Sequence, residues 1–412
     1  MRVGWVRLWQ WAAWGGIGLS LYAGWLTFDD IRDRASSERD ISAACDGLVS
    51  GAAVMDLQGG MLRATGSDYD KSRLDVGRLP GSCTVYKVPG PDKTTGLFTL
   101  TVRVSSPSRP MQWIGDDNDL EPFRDGPGSQ NSDVTAIADR RPEPWPIGDG
   151  TLGRYGNWYA TVRAECGPGS RDSAPKLLNV TARADYDDVS AADRARLARI
   201  ARSAAGELIG RIGCQSELPA LPALPAEPLP SVPSDLRPAQ ATDGSCKWFA
   251  QHVEEQGQGR LPDRALATPV PDASPVESCL LAVSPEQVGR IAQGLPDDAG
   301  DSARRALTHS PWWLRTASYF GAEAHTVGFE ARVSEDEIIT AGTAGHGGGA
   351  WWASSVCDGK PALHTLSSSY TYDNVLSPQT MSALFHAYVD DMTKRRGCTQ
   401  VTYPEAKDFG TP

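Results

Sequence analysis

Six histidines, eight cysteines and several adjacent aspartate pairs are the side chains of this chain best suited to chemistry. His346 opens the run His346-Gly347-Gly348-Gly349, and a glycine-rich loop of that kind can offer backbone N–H groups to an oxyanion. Such chemistry also needs a serine nucleophile on a G-x-S-x-G elbow, and the sequence contains no such pentapeptide. The run therefore reads as a loop or hairpin leading into the strand that begins near Trp351. His252, His309, His325, His346, His364 and His386 all fall in the second half of the chain, without H-E-x-x-H or H-x-H spacing. Zinc held by His325, His346 and His364 would require three separate strands to converge. Asp116-Asp117, Asp187-Asp188, Asp297-Asp298 and Asp390-Asp391 lack the spaced oxygen ligands of a calcium loop and suit turns or helix ends. No cofactor fingerprint is present, and the residues select no catalytic, cofactor-binding or metal-binding set.

The cysteines are more informative. They form two quartets, Cys45, Cys83, Cys166 and Cys214, then Cys246, Cys279, Cys357 and Cys398, with similar rhythm. Their contexts also recur. Ser82-Cys83 parallels Ser278-Cys279, Gly213-Cys214 parallels Gly397-Cys398, and GNWYATVRAEC (156–166) parallels GAWWASSVC (349–357). An even count without a C-x-x-C pair fits disulfides in an oxidising compartment. Four cysteines per copy allow three pairings. A C-terminal helix folded back on its own sheet would bring first to second and third to fourth: Cys45–Cys83, Cys166–Cys214, Cys246–Cys279 and Cys357–Cys398.

The elements that must position these residues are legible from period and punctuation. WYATVRAEC alternates Trp158, Ala160, Val162, Ala164 and Cys166 against Tyr159, Thr161, Arg163 and Glu165, which predicts a strand with one face in a core and one in water. Residues 178–186 and 365–372 read as the next strand of each copy. Helices follow, capped by Ser190 and Ser377 and closed by Gly213 and Gly397. LFTLTVRV (97–104) reads as an earlier strand, with HTVGFEARV (325–333) as its counterpart, and 115–150 reads as a long loop. The Pro-rich segment from Pro219 to Pro238 reads as an extended spacer. The expected fold class is α+β: two tandem disulfide-braced domains, each an antiparallel sheet packed by helices including a C-terminal one. The domains span 41–214 and 241–401, joined by a linker at 215–240 and followed by a tail at 402–412.

Leu8 to Phe28 carries no charged residue and is long enough, as a helix, to cross a bilayer. Arg2 and Arg7 before it, and tryptophans toward its ends, predict a transmembrane helix (stub and span 1–28) with a cytoplasmic N-terminus. A juxtamembrane segment, 29–40, then leads to domains outside the cell membrane. A cleavable signal peptide is the alternative, although no small-x-small cleavage site stands out. Ala12, Gly16, Ser20 and Gly24 form a small-residue stripe on that helix, where a homodimer could pack. The formal charge of −11 disfavours nucleic acid as a partner.

The Trp-rich N-terminal span, the following CDGLV, the SC-x-x-x-V around the second cysteine and the Pro-rich spacer together resemble uncharacterised single-pass cell-envelope proteins of high-GC actinobacteria. That resemblance passes on no catalytic residue. Combined with the architecture, it leads us to expect a membrane-anchored extracytoplasmic binding or interaction protein with a protein or envelope-component partner. The alternative is an exported hydrolase in which His346 and a second histidine meet a serine or aspartate in the second domain.

Overall fold

The computed structural model describes residues 14, 30–66, 73–90, 93–106, 110–114, 143–230, 235–296, 300–308, 312–329, 337–347, 349–369 and 372–410. In the first half, a helix over residues 30–44 (α1) runs into Cys45, and α2 (Gly51–Met55) follows it. Strands β1 (Ala64–Gly66), β2 (Gly81–Gly90) and β3 (Lys93–Val104) come next, then the short β4 (Gln112–Ile114). After these come β5 (Trp145–Pro146), β6 (Gly153–Tyr155), β7 (Tyr159–Glu165) and β8 (Leu177–Ala184), and α3 (Ala191–Ile212) closes the unit. All but β4 form one antiparallel sheet in the order β1-β2-β3-β8-β7-β6-β5.

Local chemistry explains the closing helix. Ser190 Oγ accepts the Asp193 N–H at 3.1 Å, and Gly213 ends the helix at φ 71°, a left-handed conformation that glycine adopts without strain. Leu197, Ala201, Ala204 and Leu208 are buried against Val162, Val180 and Ala182 of the sheet. Helix and sheet are stitched by Cys166–Cys214, and the start of the unit by Cys45–Cys83.

The second half repeats this plan. Its elements are β9 (Arg237–Pro238), α4 (Lys247–Gln256), β10 (Arg264–Ala267), β11 (Val276–Ala282), α5 (Pro285–Ala292), α6 (Gly300–Thr308) and β12 (Trp313–Phe320). They continue through β13 (Val327–Phe329), β14 (Glu337–Ile338), β15 (Gly345–Gly347), β16 (Ala350–Cys357), β17 (Lys360–Ser368), α7 (Tyr372–Val375), α8 (Pro378–Arg396) and β18 (Thr399–Thr402). In the sheet order β9-β10-β11-β12-β17-β16-β15, the run β10-β11-β12-β17-β16-β15 repeats β1-β2-β3-β8-β7-β6 of the first sheet, while β9, and β18 beside β16, are additions of the second sheet and β5 of the first. Cys246–Cys279 and Cys357–Cys398 occupy the corresponding places, so the disulfides run first to second and third to fourth in both quartets.

Strand pairing aligns the copies more finely than the phrase GNWY/GAWW does. Cys83 lies opposite Leu100, which lies opposite Ala182 and then Ala160; Cys279 lies opposite Thr316, then Leu366 and Trp351. Trp351 thus stands at the position of Ala160, two residues along the strand from Trp158. The counterpart of β3 is β12, not the segment 325–333. Within that segment β13 instead joins a separate small sheet, parallel to β4 and antiparallel to β14; residues 330–333 lie outside the described ones. Of the expected loop 115–150, residues 115–142 also lie outside them, and Trp145–Pro146 is a strand.

Much of the outer face of each sheet is covered, although Glu165 at the end of β7 stays exposed. Tyr159, Thr161, Asn179 and Thr181 in the first unit, and Leu280, Arg315, Ala317 and Tyr319 in the second, are all buried. Contacts between the units begin on these faces. Arg163 Nε reaches Glu323 Oε1 at 3.0 Å, Arg315 pairs with Glu143, and Ile114 inserts among Val276, Tyr319 and Trp352. Glu323 is completely buried and also accepts from Gln112. A buried carboxylate paired in this way holds its partners in one arrangement, since removing Arg163 would strand its charge.

The Pro-rich segment is likewise not an extended spacer. Leu218, Leu221, Leu224 and Leu229 pack on the first core, and Arg202 and Arg194 of α3 donate to the carbonyls of Pro219 and Ala226. At the other end of the chain, residues 402–410, expected as a tail, continue the second unit: Phe409 is buried and stacks on Trp351, whose indole N–H donates to the Asp408 carbonyl at 2.8 Å.

The fold class requires a correction at its N-terminal end. Among the described residues no helix is long and apolar enough to cross a membrane, so the class is α+β with two antiparallel sheets and four disulfides, without the expected transmembrane helix. Leu8–Phe28, apart from Trp14, and the stripe Ala12, Gly16, Ser20 and Gly24 lie outside the described residues.

Candidate functional site

The structure scatters the histidines. His346 lies on the edge strand β15, half exposed, 3.5 Å from Asp408 Oδ1. His386 stacks on Tyr403, and His325 is exposed in a short turn of helix before β13. His309 lies outside the described residues. His364 is sealed in the second core, where Ser318 Oγ is 2.7 Å from Nδ1 and Ser355 Oγ is 2.8 Å from Nε2. Ser318 also contacts the Tyr388 hydroxyl at 2.6 Å. Burial pushes the His364 imidazole down to about 3, so it is neutral across the physiological range. A serine–histidine contact with no accessible surface meets no substrate. Among the described residues neither the zinc set nor a convergence of His346 with a second histidine forms, and no group of three potential metal ligands is present.

The pairing registers give this network a structural meaning. Ser318, His364 and Ser355 stand where the first unit has Val102, Val180 and Ala164, all of them buried, and Tyr388 reaches them from α8. One copy fills these core positions with apolar groups, the other with a connected polar chain. Each member of that chain has a partner, which a buried polar group requires.

An open cleft of about 470 Å³ lies elsewhere in the second unit, between the end of α4, the loop 257–261 and the first turns of α8. Sequence builds each wall simply. Gly257, at φ 81°, turns the chain away from α4. Ser377 caps α8 by accepting the Thr380 N–H at 3.1 Å, and Pro378 occupies the favoured first position. Arg260, in the loop between them, is held from both ends. Its guanidinium donates to the carbonyls of Val375 and Gly294, each at 3.0 Å, while its own carbonyl accepts the Tyr372 hydroxyl at 2.7 Å. The Tyr372 ring stacks on Trp312, and burial raises its hydroxyl well above the ordinary tyrosine range, so it stays a neutral donor.

His252 forms the inner wall. The residue as a whole is 8% exposed, lines the cleft and hydrogen-bonds to no described residue. Burial lowers its pKa, with Glu255 opposing the shift. The arrangement therefore presents a neutral imidazole, a positioned guanidinium and a helix start to one space. It can bind a small molecule by hydrogen bonds and charge.

The first unit has a smaller groove, about 240 Å³, at the corresponding place: Val49, Ser50 and Asp56 face Arg196 and Arg199 of α3. Arg196 there is paired with Asp193 at 2.9 Å. The two units thus place a groove at the same location, and the second unit's is the larger.

The eight cysteines are the site residues that sequence reasoning singled out, and they brace the two cores rather than line the cleft. Of the cleft residues, His252 was noted only as a histidine. Arg260 and Gln379 were missed, although the Gly257–Gly259 punctuation and the Ser377-Pro378 cap marked the two ends that come together. No protein family, curated protein or solved structure matches this chain.

Proposed function

We propose that this is an extracytoplasmic binding protein of the cell envelope that holds a small polar ligand in the cleft of its second unit. The observation that carries the reading is His252, nearly buried yet unpartnered among the described residues, facing a cleft beside the anchored Arg260. A pocket of this volume with a few convergent polar groups is the usual form of a small-molecule site. The location rests on the disulfides, which persist in oxidising compartments, and accords with the envelope proteins that the sequence resembles. The first unit and the docked linker act as the frame that fixes the second.

A ligand-observed NMR screen of charged and neutral small molecules tests the reading. Ala383 is exposed on the cleft wall, so Ala383→Trp fills the space from a surface position. We expect wild-type ligands to be lost in this variant while the unfolding transition is unchanged. Ligands that bind both proteins equally, or no ligand at all, would reject the cleft as the binding site.

A further inference from the structure

We infer that the ligand of this cleft carries an oxyanion, a carboxylate or phosphate group, held between the Arg260 guanidinium, the His252 imidazole and the first turn of α8. The inference rests on the reading of the cleft as the binding site and names the chemistry it takes.

Charge distribution is the first argument. The chain contains 51 acidic residues against 40 lysines and arginines, yet no residue lining the cleft is Asp or Glu. A surface patch drawn from this composition would ordinarily include carboxylates, and their absence from the lining leaves the Arg260 guanidinium the charged group that borders the cleft, with Glu255 acting on His252 from outside it. The other structurally engaged arginines of the second unit are neutralised: Arg395 and Arg396 both pair with the buried Glu277, and Arg315 pairs with Glu143. Arg260 pairs with no carboxylate among the described residues. Two of its N–H groups are spent on the Val375 and Gly294 carbonyls, which fix the plane of the guanidinium. The remaining donors of the fork are free for a ligand, already oriented.

The helix start adds donors of the same sense. In α8 the first N–H is absent because the residue is Pro378, and the Thr380 N–H is taken by Ser377. The Gln379 N–H is left in the first turn without an intrahelical acceptor. A helix of 19 residues presents the positive end of its dipole there. His252 supplies the independent sign that something belongs in the space. Its ring lines the cleft and bonds to no other described residue, and a bound oxyanion would accept its N–H. The volume exceeds what one anionic group fills, and Gln256 and Thr380 can hydrogen-bond hydroxyl groups on the rest of a polar molecule.

The test is a titration of the full chain at constant ionic strength, followed by calorimetry and by the His252 ring resonances. The probes are inorganic phosphate, D-glucuronate and neutral glucose. We expect phosphate and glucuronate to shift the His252 signals saturably and glucose to leave them in place. Arg260→Gln should weaken anion binding about tenfold through the lost charge-assisted bond. Gln379→Glu should do the same by repulsion, and because glutamate suits a first helical turn it leaves the fold intact. The inference is overturned if glucose binds as well as glucuronate, if neither variant changes anion affinity, or if the ligands lost in Ala383→Trp are uncharged or cationic. Those outcomes leave the cleft itself standing as a binding site. A wild-type protein with no ligand blocked by Ala383→Trp overturns both.

Discussion

The side chain of Asn157 grips the backbone of Leu229 with both ends of its amide, donating to the carbonyl at 2.9 Å and accepting from the N–H at 2.6 Å. A residue of the strand-opening phrase GNWY thus fastens the Pro-rich segment 72 positions later. In the second copy the pattern reads GAWW, with Ala350, and no such segment follows it. Asn157→Ala should release the segment and cost about 2 kcal/mol, since both backbone groups lose a matched partner. Faster protease cleavage near Leu229, with the unfolding midpoint lowered in urea, is the expected readout.

The polar chain around His364 makes stability depend on pH in a defined direction. Its folded pKa, about 3, lies below the ordinary value of 6.5, so the unfolded chain binds the proton more tightly. Stability from this group is complete above pH 6.5 and falls as pH drops toward 3, by about 1.4 kcal/mol per pH unit. The triple substitution Ser318→Val, His364→Val and Ser355→Ala copies the first unit's apolar solution. It should remove that share of the acid dependence, measured by urea unfolding between pH 4 and 7 alongside wild type.

Arg163 and Glu323 join the two units at 3.0 Å, with Glu323 fully buried. Glu323→Gln should destabilise the chain by about 2 kcal/mol, because Arg163 loses its buried partner and keeps only the exposed Glu165 at 3.2 Å. Glu323→Gln combined with Arg163→Met should cost less than the sum of the single changes. A double-mutant cycle by denaturant unfolding reads the coupling directly.

Cys357–Cys398 closes a loop of 41 residues between β16 and the end of α8. Replacing both with serine should lower stability by about 3 kcal/mol, the chain-entropy contribution of such a loop less what native strain removes. Peptide mapping of the unreduced wild-type protein should find links only within each quartet.

Much of the scaffold was legible because its signals are local. Ser190 and Ser377 cap as expected, Gly213 and Gly397 take left-handed φ values of 71° and 63°, and the even spacing of Ala160, Val162 and Ala164 sets the buried face of β7. The strand β12 was passed over for a physical reason. Thr316 and Ser318 occupy inward positions where an apolar residue is expected, and they are tolerable there because Ser318 is satisfied by His364 and Tyr388. Alternation in hydrophobicity fails as a guide where a core is built from paired polar groups. The cleft escaped for another reason: His252, Arg260 and Gln379 lie on three segments whose nearness depends on how α4 and α8 pack.

By itself, then, the sequence determined the repeated plan, its closing helices, its strand faces and the pairing of eight cysteines, because periodicity, capping and cysteine rhythm act over a few neighbouring residues. Only the tertiary structure decided that the prolines lie against α3, that much of the outer sheet faces is covered, and that Arg260 and His252 line one open cleft. Those outcomes depend on contacts between residues far apart in the chain. Charge neutralisation and burial are properties of such contacts, and no local pattern records them.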